Sequence, residues 1–184
     1  MDNEPVAVVD ANVLLNLATP VVDDRPDSPS GADPLKSVLT VYDVYAPNTV
    51  LGEIGDATGS GDLLSAAAET VLLAADHLTT RDVAEETDDL DYGLDDGESR
   101  AIWLANEIDA DLFITDEFNT SNYLLVSMAL HDRNALFTTP HVLCKFAEAS
   151  LLPVEYVSAT LTYYCETKAW DEAYVDQLRK KYLS

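Results

Sequence analysis

Apolar residues recur along this chain at two spacings, one helical and one extended. In the middle, Ala101, Ala105 and Ile108, with Ile102 and Leu104 beside them, fall at helical intervals, and Leu112–Ile114 follows an acidic break as a run too short for a helix. A helix and then a buried strand are predicted there. Near the start, residues 6–9 form an apolar run that ends at Asp10, and ANVLLNLA then offers a short amphipathic helix before Pro20. Residues 21–34, rich in Pro, Asp, Ser and Gly, predict a mobile loop.

The same alternation continues downstream. Residues 35–39 allow one or two helical turns, and 42–46 read as a second strand closed by Pro47. Asn48 or Thr49 is placed to cap a helix that turns Val50, Leu51 and Ile54 inward and carries Glu53. Gly55, Gly59 and Gly61 interrupt it, and Asp62 opens a longer helix predicted to face the core with Leu63, Leu64, Ala67, Val71 and Leu72. The polar stretch 77–91 leaves room for a short strand within 78–83. A helix over 123–130, capped by Thr120 or Ser121, and a strand over 135–138 follow. Thr139 with Pro140, then Pro153, then Asp171 mark three further helix starts.

Strands and helices thus alternate through about residue 150, which predicts an α/β fold. The expected architecture is three-layer α/β/α with a central parallel sheet over residues 1–152, and a C-terminal helical extension, 153–184, packed on the same domain. Tyr163, Tyr164, Trp170 and Tyr174 give that extension an aromatic surface suited to covering the sheet or a partner.

Composition changes the picture mainly through charge. With 34 Asp and Glu against 10 Lys and Arg, the formal net charge is -24. The acids are scattered over every predicted element rather than gathered in a tail, and 47% of residues are hydrophobic, so the charge implies an acidic shell on a folded core and not disorder. Such a shell fits a protein adapted to a very salty cytoplasm. At about 1 M salt the Debye length is about 3 Å, so this surface can still approach nucleic acid. Cys144 and Cys165 lie in no metal-ligand or redox spacing and are expected to be reduced thiols. No signal peptide or membrane-length apolar run is present, so a cytoplasmic protein without membrane contact is expected.

Asp10 and Asp116 each follow an apolar strand, and parallel strands carry such residues to the same sheet edge, where open α/β sheets bind ligands. Glu53 and Glu98, each on a helix near that edge, can complete a ring of four acids. Crowded carboxylates raise one another's pKa, and a hard divalent cation relieves the repulsion. Oxygen-only donors suit Mg²⁺ or Mn²⁺, whereas zinc calls for His and Cys, and His77, His131 and His141 show no ligand spacing. Local roles compete for each acid: Asp10 as a helix cap, Glu53 on a solvated face, Asp116 in an Asx turn, and Asp95 with Glu98 as a capping box.

Taken in order, VVDANVLLNL, NTVLGEI and LDDGESRAIWLANEIDADLFITDEFN resemble the PIN domain, a family of metal-dependent ribonucleases that includes many prokaryotic toxins. The likeness runs over about residues 6–152. It implies catalytic roles for Asp10, Glu53, Glu98 and Asp116, with Asp10, Glu98 and Asp116 holding Mg²⁺ or Mn²⁺. Asn12 and Thr115 would orient the first and last carboxylates, and Glu117 and Asn119 would extend the fourth motif. The implied reaction is hydrolysis of phosphodiester bonds in single-stranded RNA. The implied partners are RNA and a protein, either an antitoxin or another partner, or a second copy of the chain in a homodimer.

Other acidic α/β sites fit less well. A haloacid-dehalogenase-like phosphatase wants a second Asp where Asn12 stands, a receiver domain wants a Lys where Thr138, Thr139 and Pro140 stand, and no Gly-rich phosphate loop is present. The rival of a different class is a PIN-like module that binds RNA or protein and cuts nothing, because cations for phosphate are few: Arg100, Arg133 and Lys145 are the candidates near the acidic edge, with Arg179, Lys180 and Lys181 assigned to the last helix's dipole. The scattered charge itself yields a prediction. The melting temperature is expected to rise as KCl is raised from dilute buffer toward molar, and a steady fall would contradict adaptation to salt.

Overall fold

In the computed structural model, which describes residues 4–88, 90–117 and 120–184, the short apolar runs pair into one sheet. Strands β1 (Val6–Val9), β2 (Asp43–Pro47), β3 (Leu78–Arg81), β4 (Leu112–Ile114) and β5 (Ala135–Phe137) are all parallel, in the order β3-β2-β1-β4-β5. The order runs outward from β1 in both directions. Helices α1 (Ala11–Val22), α2 (Pro34–Val41), α3 (Asn48–Asp56) and α4 (Leu63–Leu73) belong to the first half. They are followed by α5 (Val83–Glu86), α6 (Asp96–Glu107), α7 (Thr120–Ala129), α8 (Thr139–Glu148), α9 (Val154–Lys168) and α10 (Glu172–Tyr182).

Alternate strand residues divide the core in two, as the period of a strand requires. Ala7, Val9, Val44, Ala46, Leu112 and Ile114 face one layer, made by α1 to α4 and α8 to α10. Val8 and Phe113 face the other, where Val83, Ala101, Ile102, Leu104, Ala105 and Val126 pack. The result is a three-layer α/β/α fold. Tyr156, Val157, Leu161, Tyr164, Val175 and Leu178 of the last two helices, with Trp170 between them, belong to the first core, so the C-terminal extension shares it. Among the described residues, no helix is long and apolar enough to cross a membrane.

Several local expectations change. Helix α1 does not stop before Pro20 but continues through it to Val22. A proline there cannot donate to the carbonyl of Asn16, four residues back. That carbonyl instead accepts the Tyr164 hydroxyl at 2.5 Å, so the freed acceptor anchors α9. Helix α3 begins directly after Pro47 with no side-chain cap, leaving Asn48 and Thr49 inside it. In α4 the buried face is Ser65, Ala67, Ala68 and Val71, while Leu64 and Leu72 are exposed. Small side chains bring α4 close against α1, and the larger leucines are displaced outward. The loop after α1 is tied at its start, where Asp23 accepts hydrogen bonds from Arg25 and from the Tyr163 hydroxyl. Helix α7 already includes Thr120 and Ser121, so its capping position falls outside the described residues.

Leu161 of α9 is fully buried in the shared core. Leu161→Ala is expected to destabilise the whole chain by about 2–5 kcal/mol in a single cooperative urea transition. A separate early transition for residues 153–184 would show that the extension folds apart.

Candidate functional site

Register sets the site. Val9 pairs with Ile114 across β1 and β4, so Asp10 and Asp116 leave neighbouring strands at the same carboxyl edge. Strand β2, on the other side of β1, ends at that edge too and leads straight into α3. Three crossover points therefore meet around Asp10. A cleft of about 350 Å³ opens there, lined by Asp10, Ala11, Asn12, Val50, Glu53, Asp95, Asp96, Gly97, Glu98 and Glu117.

Each acid reaches the cleft for a local reason. Asp10 is the N-cap of α1: Val13 N–H donates to its Oδ1 at 2.9 Å, while the Thr115 hydroxyl donates to Oδ2 at 3.3 Å. Capping and facing the cleft are thus compatible for Asp10. On α3, buried Val50 and Ile54 fix the helix and leave Glu53 on the cleft side. On α6, Asp95 alone supplies the capping side chain, accepting from Glu98 N–H at 2.8 Å. The Glu98 carboxyl lies on the stripe of Ile102 but one turn earlier, beyond the packed core, so it enters the cleft. Gly97 permits the approach of α3: a Cβ there would meet Glu53 Oε1 at 3.3 Å and Asp95 Oδ1 at 3.4 Å.

Asp116 behaves differently. Its carboxylate accepts from Thr139 N–H at 2.7 Å, from the Thr139 hydroxyl at 2.6 Å and from Asn16 Nδ2 at 2.7 Å. These bonds draw it toward the starts of α8 and the middle of α1, and it does not line the cleft. Glu117 does, one residue later, with its N–H directed to the Thr115 hydroxyl at 3.3 Å and its side chain bonded to Glu98. Thr115, 1% exposed, thus joins Asp10 to the chain beyond β4, so its hydroxyl serves the first carboxylate and not Asp116, the last. Asn12 lines the cleft but is exposed. Asn119 lies outside the described residues.

The electrostatics are those of crowded acids. Burial, with the charges of Asp116 and Glu98 adding to it, pushes the Asp10 carboxyl up to about 7 despite its two hydrogen bonds. Burial, then Asp95 and Glu117, push Glu98 up to about 7. Burial and Asp95 raise Glu53, against the pull of Arg100. Asp116 is raised by burial although three donors and Lys168 favour its charge. Of the cations expected near this edge, Arg100 acts on Glu53, whereas Arg133 pairs with Asp109 before β4, at the opposite end of the sheet, and Lys145 pairs with Glu148. Lys168, at the end of α9, is a cation that sequence reasoning missed, because nothing in the periodicity of a C-terminal helix shows that it ends beside Asp116. Asp95, Asp96, Asn16 and Thr139 were equally missed as site neighbours.

The side-chain donors are carboxylate oxygens and the Asn12 amide, with no His or Cys lining the cleft, so its chemistry fits a hard divalent cation and not zinc. Among the described residues, no three acidic, His or Cys side chains already stand as a ligating group. Comparisons with protein-family models, with curated proteins and with solved structures gave no match.

Asp10 and Glu98 bind protons in the folded chain up to about pH 7, whereas their ordinary values are 3.8 and 4.5. Stability from these groups is therefore present at low pH and falls as pH rises from about 4 through about 7. In metal-free molar KCl, Asp10→Asn is expected to match wild type near pH 4 and to exceed it near pH 8, by up to about 4 kcal/mol in urea denaturation. Equal stability at both pH values would remove the case for a strained carboxylate.

Proposed function

We propose that the chain is a PIN-like, Mg²⁺- or Mn²⁺-dependent endoribonuclease that hydrolyses phosphodiester bonds of single-stranded RNA in the cleft around Asp10. The observation that carries this reading is the meeting of Asp10, Glu53, Glu98 and Glu117 at one carboxyl edge, two of them held near pKa 7 by burial and one another. Such a cluster has a standing demand for positive charge. Asp10, Glu98 and Glu117 are the residues to hold a cation, with Asp116 behind them. When bound, the cation supplies Lewis acidity toward water and the phosphate oxygens.

The chain's own residues do the rest. Val13 N–H and the Thr115 hydroxyl fix the Asp10 carboxylate in one orientation. Asp116, tied to α1 and α8, keeps the two strand ends together and adds negative potential behind Asp10. Glu98, held near neutrality beside Glu117, is suited to take or give a proton close to the operating pH. Arg100 and Lys168 bring positive charge to opposite margins, near Glu53 and near Asp116, where a phosphate backbone needs it. Protein partners such as an antitoxin have no comparable observation behind them.

The second reading, a silent module, draws on the lack of a ready ligating group among the described residues and on the scarcity of cations. Activity separates the two. In molar KCl with Mn²⁺, wild type is expected to cleave single-stranded RNA, and Asp10→Asn and Glu98→Gln are each expected to lose at least about a hundredfold in rate. Glu98→Gln should be at least as stable as wild type, since Asp95 and not the Glu98 side chain caps α6 and the charge it removes is strained. An inert wild type would favour the silent module, and full activity in both variants would show that cleavage does not depend on this cleft.

A further inference from the structure

On the far side of the first turn of α6, a second hollow of about 460 Å³ opens beside the acidic cleft, against α5. The two share Asp96 as a common wall. Val83 and Leu90 give the hollow an apolar floor, Asp88 and Asp96 place carboxylates on its rim, and Ser99 and Arg100 close the helix side. Ser99 is 2% exposed, and its hydroxyl has no hydrogen-bond partner among the described residues. A buried hydroxyl left unpaired is unfavourable, and such exceptions in a well-packed element call for a reason. Arg100 borders this hollow while its charge also acts on Glu53 in the cleft.

We infer that this hollow takes one nucleobase of the bound RNA, next to the phosphate in the acidic cleft, and that it prefers bases carrying an amino group over uracil. The inference rests on the ribonuclease reading for its strand but on its own residues for its selectivity. Its volume falls within the roughly 300–1,000 Å³ of small-molecule sites. The apolar floor suits the face of a flat ring, and a guanidinium plane is a common stacking partner for a splayed base. The carboxylates of Asp88 and Asp96 only accept hydrogen bonds, so they repel a phosphate and the two carbonyls of uracil, which leave that base its N3–H alone to donate. The amino groups of adenine, cytosine or guanine give them further donors to accept from. The Ser99 hydroxyl, buried in that wall without a partner among the described residues, would serve a ring nitrogen or carbonyl once its rotamer turns it to the hollow. Hollow and cleft lie on two sides of the same first turn of α6 and share Asp96, so neighbouring parts of one strand can occupy both.

The test uses the whole protein in molar KCl. With EDTA present, the four 5′-mononucleotides are titrated separately while amide NMR shifts are followed. Saturable shifts are expected at Val83 and Ser99, with at least one of AMP, CMP and GMP binding about tenfold more tightly than UMP. Ser99→Ala should weaken the preferred nucleotide about fivefold. Asp88→Asn, on the exposed rim and unable to disturb the core, should erode the preference over UMP. Equal affinities for all four nucleotides, or shifts confined to Asp10 and Glu53, would overturn the inference. With Mn²⁺ in place of EDTA, cleavage of all RNAs at one rate without nucleotide preference would overturn the base site and leave the nuclease standing. Selective nucleotide binding by a protein that never cleaves would do the reverse.

Discussion

Two carboxylates on neighbouring parallel strands, Asp10 after β1 and Asp116 after β4, impose the constraint that the surrounding structure answers. Side by side at a sheet edge, partly withdrawn from water, they are unfavourable to each other and to burial. The chain answers with donors. Val13 and Thr115 serve Asp10, and Asn16 and Thr139 serve Asp116. Those donors come from α1, β4's end and α8, so the same bonds that relieve the acids also fix three elements around them. Asn16 extends the chain of contacts outward, because its carbonyl, released by Pro20, takes the hydroxyl of Tyr164. A C-terminal helix thus bears on the carboxyl edge through one residue of α1.

Much of this was legible in the residues because periodicity is a property of backbone geometry. Apolar runs ending in an acid located β1 and β4, and a stripe beginning one turn after Gly97 and Glu98 located α6. Side-chain direction beyond the last strand residue is another matter. Asp116 and Glu117 are adjacent, and no pattern in TDEFN says which turns to the cleft; the answer depends on Thr139, 23 residues away, offering two donors to Asp116. For the same reason Arg133 looked close to the acids and is not: it belongs to the turn entering β5, at the amino end of the sheet. In α4 the apolar stripe misled because Ala67 and Ala68 pack more closely than leucine allows.

The surface charge and the site charge are separate matters. The surface acids are spread over helices, caps and loops, and their mutual repulsion is screened at high salt. Asp10 and Glu98 are not relieved that way, since burial is the first cause of their shifts and salt does not restore the water they have lost. Only something that enters the cleft can. The scarcity of Lys and Arg has a similar reading, since Arg100 and Lys168 stand at the margins of the acids and not among them. Cations inside would neutralise the cleft permanently, whereas cations outside leave it open to a transient positive partner.

Protons and a metal ion then compete for the same oxygens. With Asp10 and Glu98 near pKa 7, the empty cleft holds protons at neutral pH that a divalent cation must displace, so on the proposed reading binding releases protons and tightens as pH rises through that range. The competition also explains how a folded chain tolerates the cluster at all. Protonation stands in for the cation when none is bound, which limits the repulsion the core must withstand. Glu98 and Glu117, sharing a hydrogen bond between two acids, are where one proton is held most directly. A cation held by these acids would displace that proton to water, which couples the protonation state of the site to its occupancy.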